Sequence, residues 1–163
     1  MIALFRGTGA ISAAIRWQAR GDYSHAAWLC ADGSVIESHI SCGVAHVAHP
    51  WVNNTSPADI FAVRCLTGGQ MLQIASFLQR RVGAGYDWLG IVRFLSHVNR
   101  DNEARWFCSE LVAEACEMAG RPLLHTDGFR ISPSLLAWSP TLVPVKMGAT
   151  LAWWREKFGK EEE

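Results

Sequence analysis

Residues 105–120 read Arg105-Trp106-Phe107-Cys108-Ser109-Glu110-Leu111-Val112-Ala113-Glu114-Ala115-Cys116-Glu117-Met118-Ala119-Gly120. From Ser109 onward, Leu111, Val112, Ala115, Met118 and Ala119 recur at the three-and-four spacing of an amphipathic helix, and Gly120 with Pro122 supplies a stop. Cys108 then sits at the N-terminal edge of the helix, beside unpaired backbone N–H groups and the positive end of the helix dipole. Both favour thiolate over thiol, and so nucleophilicity. A cysteine among Trp, Phe and Leu is more commonly a small buried apolar residue, so the nucleophilic reading needs a base from elsewhere in the chain.

That base is found upstream. Tyr23 to Ile40 is two apolar-rich runs around Asp32-Gly33, a hairpin signal. In a three-residue loop, Ala31-Asp32-Gly33 with Gly33 left-handed, Cys30 faces Ser34, His25 faces His39 and Ala27 faces Glu37. All of these last four side chains fall on one face, with Glu37 diagonal to His25 at about 7–8 Å by backbone spacing, within reach of a long side chain. A two-residue Asp-Gly turn would move Glu37 to the opposite face from His25. The local sequence fits both registers.

Outward from these two segments, Ile2 to Phe5 reads as a short buried strand and Ala10 to Gln18 as a helix ended by Arg20-Gly21-Asp22. Gly43 to His49 and Asp59 to Cys65 read as further strands around a Pro50 to Pro57 loop. Strands this close in sequence favour an antiparallel sheet. Helical runs are expected over Gln70 to Arg81, with Leu72, Ala75, Leu78 and Val82 near one face, over Trp88 to His97, and from Ser132-Pro133 to Trp138. The chain beyond Pro122 is otherwise turn-rich. The terminal Leu151 to Phe158 segment reads as a helix docked on its own domain. The expected class is α+β, one domain over 1–163, with the charged tail flexible from about 155.

Composition narrows the function classes. Half of the 163 residues are apolar and 18% are charged, enough for one packed core. Fifteen basic and fifteen acidic residues balance, so no electrostatic footprint marks a nucleic acid or an anionic membrane as partner. The five cysteines, at irregular spacing, match neither a zinc pattern nor a secreted disulfide scaffold. No basic start precedes an apolar run, and no transmembrane stretch occurs. The expectation is a chain made in the cytoplasm, with a phage or prophage origin supplying any route to the cell wall.

Ser24-His25 entering a strand, an acidic residue twelve positions later, then Tyr86-Asp87 and the late Phe107-Cys108-Ser109-Glu110-Leu111-Val112 helix resemble the circularly permuted NlpC-type cysteine peptidases. These form the YiiX-like branch of the papain-like superfamily, related to the lecithin:retinol acyltransferase group. The resemblance covers Ile2 to about Ala119 and rests on the order and spacing of short motifs. It implies a papain-like fold in permuted order, an antiparallel sheet packed against helices. It implies Cys108 as nucleophile, His25 as general base, Glu37 as the orienting residue, and Tyr86 as a phenol beside the cysteine. It points to amide hydrolysis through a thioester, with bacterial cell-wall stem peptides as substrate. The alternatives are a lipid acyltransferase or thioesterase with the same thiol chemistry, and a non-catalytic binding or phage structural module.

His39, opposite His25 in the three-residue-loop register, is a second candidate for the orienting role. Cys42, His46 and His49 are potential zinc ligands, but on a strand they alternate faces and lack a fourth ligand, so no metal and no cofactor is expected. Cys30, Cys65 and Cys116 read as packing residues. Trp51, Trp153 and Trp154 are candidates to rim a groove or pack a partner. The partner class is a peptide or acyl substrate; the oligomeric state is not encoded legibly.

Overall fold

The computed structural model describes residues 1–87 and 105–159. Its centre is a six-stranded antiparallel sheet in the order β4-β3-β2-β1-β5-β8, where β1 is Ile2–Phe5, β2 His25–Leu29, β3 Val35–His39, β4 Gly43–Val47, β5 Ala58–Val63 and β8 Leu142–Ala149. A two-residue parallel pair, β6 Gly85–Tyr86 with β7 Arg105–Trp106, lies beside it. The helices are α1 Ala10–Ala19, α2 Gly68–Gln79, α3 Cys108–Met118, α4 Pro133–Leu136 and α5 Leu151–Phe158, with 3-10 turns at Pro50–Val52 and Gly128–Arg130. The expected helix over Trp88 to His97 lies outside the described residues.

Both faces of the sheet are buried, which follows from the two-residue alternation of strand side chains. Ile2 and Leu4 of β1, Ala26 and Trp28 of β2, Ile36 of β3 and Val44 of β4 pack with Leu111, Val112, Ala115 and Cys116 of α3 and with Ile74, Phe77 and Leu78 of α2. The alternate residues Ala3, Phe5, Ala27, Leu29, Val35 and Ile60 form a second cluster, covered by Trp51, Trp153 and Phe158. The tryptophans proposed as rim residues are thus packed in part against this chain's own sheet. α5 continues through Phe158, and Trp154 Nε1 donates to the Gly33 carbonyl at 2.8 Å.

The hairpin register is set by the loop. Cys30 N–H donates to the Ser34 carbonyl at 2.8 Å, Gly33 is left-handed at φ 87°, and Ala27 pairs with Glu37. This is the three-residue loop. Gly33 is required twice over, since a Cβ there would also meet Phe158 Cβ at 2.7 Å. Gly43, at φ 70°, meets a comparable limit: a Cβ would lie 2.2 Å from the Ala84 carbonyl oxygen. Its bareness lets β4 approach the chain leading into β6, with Val44 N–H donating to Ala84 O at 2.8 Å.

Three expectations are corrected. Of the expected α2 face of Leu72, Ala75, Leu78 and Val82 only Leu78 is fully buried; the helix buries Ile74 and Phe77 with it and leaves Leu72 73% exposed. The helix is oriented by Phe77, which stacks edge-on against Trp106 at 5.9 Å. Met118, read as part of the buried stripe of α3, is 65% exposed, because the helix is ending there. Cys65, read as packing, is exposed at a left-handed turn, φ 55°. β8 and the β6–β7 pair were not legible in the sequence. β8 is an edge strand with Pro144 and Gly148 inside it and bulged pairing to β5, so it carries no clean alternation.

Candidate active site

α3 begins at Cys108. Phe107 is its N-cap in extended conformation, Leu111 N–H closes the first helical bond to Phe107 O at 3.0 Å, and Glu110 reaches back to accept from Phe107 N–H at 3.2 Å. The N–H groups of Cys108, Ser109 and Glu110 therefore precede the first intrahelical bond, as at any helix start. Ser109 is occupied in holding the fold: its hydroxyl donates to Ile131 O. Cys108 is 1% exposed and packs with Ile15 of α1, Tyr86 of β6 and Phe107, with Ile40 against them.

His25 stands at the start of β2, and its Nε2 lies 2.7 Å from Glu37 Oε2. With Nε2 engaged by the carboxylate, Nδ1 is the ring nitrogen left for the Cys108 side chain, which acts on the ring. Burial of the ring favours the neutral form. It is outweighed by the Cys108 and Glu37 charges and by the hydrogen bonds to both, and the His25 pKa rises from 6.5 to about 10. The two flanking groups thus favour the imidazolium.

Glu37 is fully buried, and its charge is satisfied from three directions. Besides His25, Asn53 Nδ2 donates to Oε1 at 2.9 Å and Asn54 Nδ2 donates to Oε2 at 3.1 Å. Burial pushes the carboxyl pKa up, but the His25 charge and the hydrogen bonds from His25, Asn53 and Asn54 hold it below its usual value. Asn54 is itself anchored by donating to Pro50 O at 3.0 Å. These two asparagines are site residues that the sequence reading missed; nothing in a Pro-bounded loop marks which face of the sheet it will cover.

Tyr86 is buried against Phe107, ring centroids 6.0 Å apart, in the cluster that contains Cys108. Burial, the Cys108 charge and the Asp87 charge all raise its pKa, so the phenol keeps its proton. His39 lies edge-on to His25 at 5.7 Å and makes its own contact with Ser41; Glu37, not His39, is the residue on His25 Nε2. Between these side chains is a cleft of about 100 Å³, lined by His25, His39, Tyr86, Asn54 and residues of α1. A larger groove of about 750 Å³ runs past Glu114, Glu117 and His125 at the other end of α3, away from His25.

The zinc candidates stay apart. Cys42 is exposed, His46 Nε2 contacts Ser34 Oγ at 2.8 Å, and the His49 ring lies 5.3 Å from that of Trp154. All five cysteines are unpaired, and burial pushes the Cys116 thiol up to about 12.

No protein-family model matches the chain. In sequence it is similar to the probable lipoprotein peptidase YaeF of Escherichia coli strain K12, 27% identical over 158 residues that take in 77% of this chain and 57% of YaeF. The chain thus spans little more than half the length of the curated relative it matches. In three dimensions it is similar to YiiX of Escherichia coli O157:H7, at a TM-score of 0.68 and 18% identity, covering 91% of this chain and 96% of that one. The fold is YiiX-like. It is α+β, an antiparallel sheet packed against helices. That structure of YiiX is described as a metalloprotein; among the residues described for this chain, no three His, Cys, Asp or Glu side chains are grouped so as to hold a metal ion. Nor is any described helix long and apolar enough to cross a membrane.

Proposed function

We propose that this protein is a cysteine hydrolase of peptide amide bonds, a papain-like domain in permuted order with Cys108, His25 and Glu37 as its reacting groups. The observation that carries this reading is the His25 ring held to the Glu37 carboxylate at 2.7 Å while the Cys108 thiol, at a helix start, acts on the same ring. The similarity to a protein named as a probable peptidase supports it.

In this mechanism His25 takes the Cys108 proton on Nδ1. The sulfur attacks the scissile carbonyl carbon; a C–S bond forms and the carbonyl π pair moves onto oxygen. The Cys108 N–H, at the helix start, donates to that oxygen, and the Tyr86 phenol is the second donor in its vicinity. Collapse breaks the C–N bond, and the leaving nitrogen takes the proton from His25. Water then attacks the thioester as His25 removes its proton, the C–S bond breaks, and the carboxylic acid departs. Glu37 keeps the ring oriented and the imidazolium favoured throughout. Because Cys108 is nearly covered, substrate reaches the sulfur only when Ile15 or Ile40 shifts aside.

The substrate class in this reading is a bacterial cell-wall stem peptide. A cleft of about 100 Å³ bearing Ser12, Ser24, Asn54 and His39 among its isoleucines suits a small polar group better than a fatty acyl chain. The test is to incubate wild type and Cys108→Ser with a synthetic stem peptide containing a γ-linked D-glutamate and, separately, with a long-chain acyl thioester. Cysteine-dependent release of peptide fragments supports the reading. Cysteine-dependent cleavage of the thioester alone replaces it with the lipid reading, and no cleavage of either leaves a binding module.

A further inference from the structure

We propose that His39 is a substrate-binding residue, whose Nε2–H donates a hydrogen bond to an acceptor oxygen of a small carbonyl- or carboxylate-bearing group held in the cleft beside His25. The word substrate rests on the hydrolase reading above; the geometry does not. His39 ends β3 two residues beyond Glu37, and both its ring and that of His25 line the same cleft.

The tautomer follows from Ser41. The Ser41 backbone N–H donates to His39 Nδ1 at 3.4 Å, and Ser41 Oγ lies 2.8 Å from the same nitrogen. A nitrogen that accepts a backbone N–H carries a lone pair, so the hydrogen of the neutral ring is on Nε2. The ring is neutral because burial and the neighbouring His25 charge lower its pKa, with Glu37 opposing them less strongly. Two adjacent imidazoles are thus driven apart, one charged beside the thiol and one uncharged in the cleft.

Nε2 of His39 has no partner among the described residues, whereas two of the neighbouring donors are committed. Ser24 Oγ accepts from Gly7 N–H at 3.0 Å and donates to Phe5 O at 3.4 Å, and Asn54 Nδ2 is held by Glu37 and Pro50. Among the described residues no Asp or Glu lines the cleft, so it offers a donor to an acceptor oxygen and no carboxylate to an ammonium group. Ile11, Ile15 and Ile40 limit the space to about 100 Å³, the room of roughly three waters, hence a group of a few heavy atoms.

The experiment uses the full chain. First, the ¹⁵N shifts of the His39 ring are read at pH 7; the expected result is a neutral Nε2–H tautomer, and an imidazolium or an Nδ1–H tautomer overturns the assignment. Second, acetylglycine is titrated by NMR into Cys108→Ala, alone and combined with His39→Leu or His39→Gln. The expected result is binding that weakens about tenfold with Leu, the scale of one lost hydrogen bond, and partly recovers with Gln, which keeps an N–H donor. No acetylglycine binding to Cys108→Ala, or equal binding to the Leu variant, overturns the proposal. Should His39→Leu not fold, the Gln variant and the tautomer decide. His39-dependent binding without any amide hydrolysis by the unsubstituted chain removes the hydrolase reading and leaves the acceptor site standing; hydrolysis with His39-independent binding does the reverse.

Discussion

Ala27 pairs with Glu37 across the β2–β3 ladder, and this register puts the Glu37 carboxylate on the side of the sheet where His25 begins. A shift by one residue would have turned Glu37 to the opposite face and left His25 without a carboxylate. The site therefore depends on the loop that fixes the pairing.

Gly33 is accordingly a fold residue on which the geometry of the site depends. Gly33→Val adds a β-branched side chain at φ 87° and drives it into Phe158. We expect destabilisation of about 2 kcal/mol or more in urea unfolding, within the range of strained backbone positions, and loss of Cys108-dependent hydrolysis in the fraction that folds. Wild-type stability would show that the loop tolerates the change.

Iodoacetamide should find Cys108 through its partner. In the native protein, mass spectrometry is expected to show Cys108 alkylated faster than the exposed Cys42 and Cys65 at pH 6.5, despite its burial, and to show that advantage fall at least about tenfold in His25→Ala. An unreactive Cys108, or one indifferent to His25, removes the nucleophile–base pair.

Removing the sulfur should also be felt by the ring. The Cys108 charge and hydrogen bond both raise the His25 pKa, so in Cys108→Ala the NMR titration midpoint of His25 should drop from about 10. An unchanged midpoint would mean that Glu37 alone sustains the imidazolium.

Stability against pH has a definite sign. His25 titrates near 6.5 when unfolded and near 10 when folded, so its contribution is complete below pH 6.5 and is lost as pH rises through about 10. Glu37 runs the other way: held below its ordinary 4.5, it contributes above that pH and loses its contribution as acid protonates the folded carboxyl. The Tm gap between wild type and His25→Ala should be widest near pH 6 and should narrow toward pH 10. A gap that widens with alkalinity contradicts the assignment.

The asparagines should behave as supports of the carboxylate. Asn54→Ala leaves Glu37 Oε2 with His25 alone and frees the Pro50 carbonyl, for a cost of roughly 1.5–3 kcal/mol, typical of a hydrogen bond to a charged group. Glu37→Gln keeps the shape and removes the charge, so kcat should fall by about 10² or more while the fold is retained. Equal kcat in Glu37→Gln and wild type would take Glu37 out of the reaction.

What could be read from the chain alone follows from how local each signal is. The α3 start was legible because Cys108 precedes a helical period that Gly120 and Pro122 end, and the hairpin because two apolar runs flank Asp32-Gly33. Its register was not, since both loop lengths satisfy the local sequence. In the fold, the left-handed Gly33 lies against Phe158 and gives its carbonyl to Trp154, contacts more than a hundred residues away. Asn53 and Asn54 were invisible for a similar reason: a loop's donors are found only when the charge they serve is in place. The rotation of α2 was set by Trp106, a residue that its own periodicity does not contain.

The short parallel bridge between Gly85–Tyr86 and Arg105–Trp106, reinforced by Asp87 N–H donating to Trp106 O at 3.1 Å, ties the chain together on either side of residues 88–104. Tyr86 and Cys108 keep their mutual positions by virtue of that clasp. The bridge thus works as a single rivet: two positions distant in the chain become neighbours in space, and the spacing between phenol and sulfur is inherited from main-chain bonds as well as from side-chain packing.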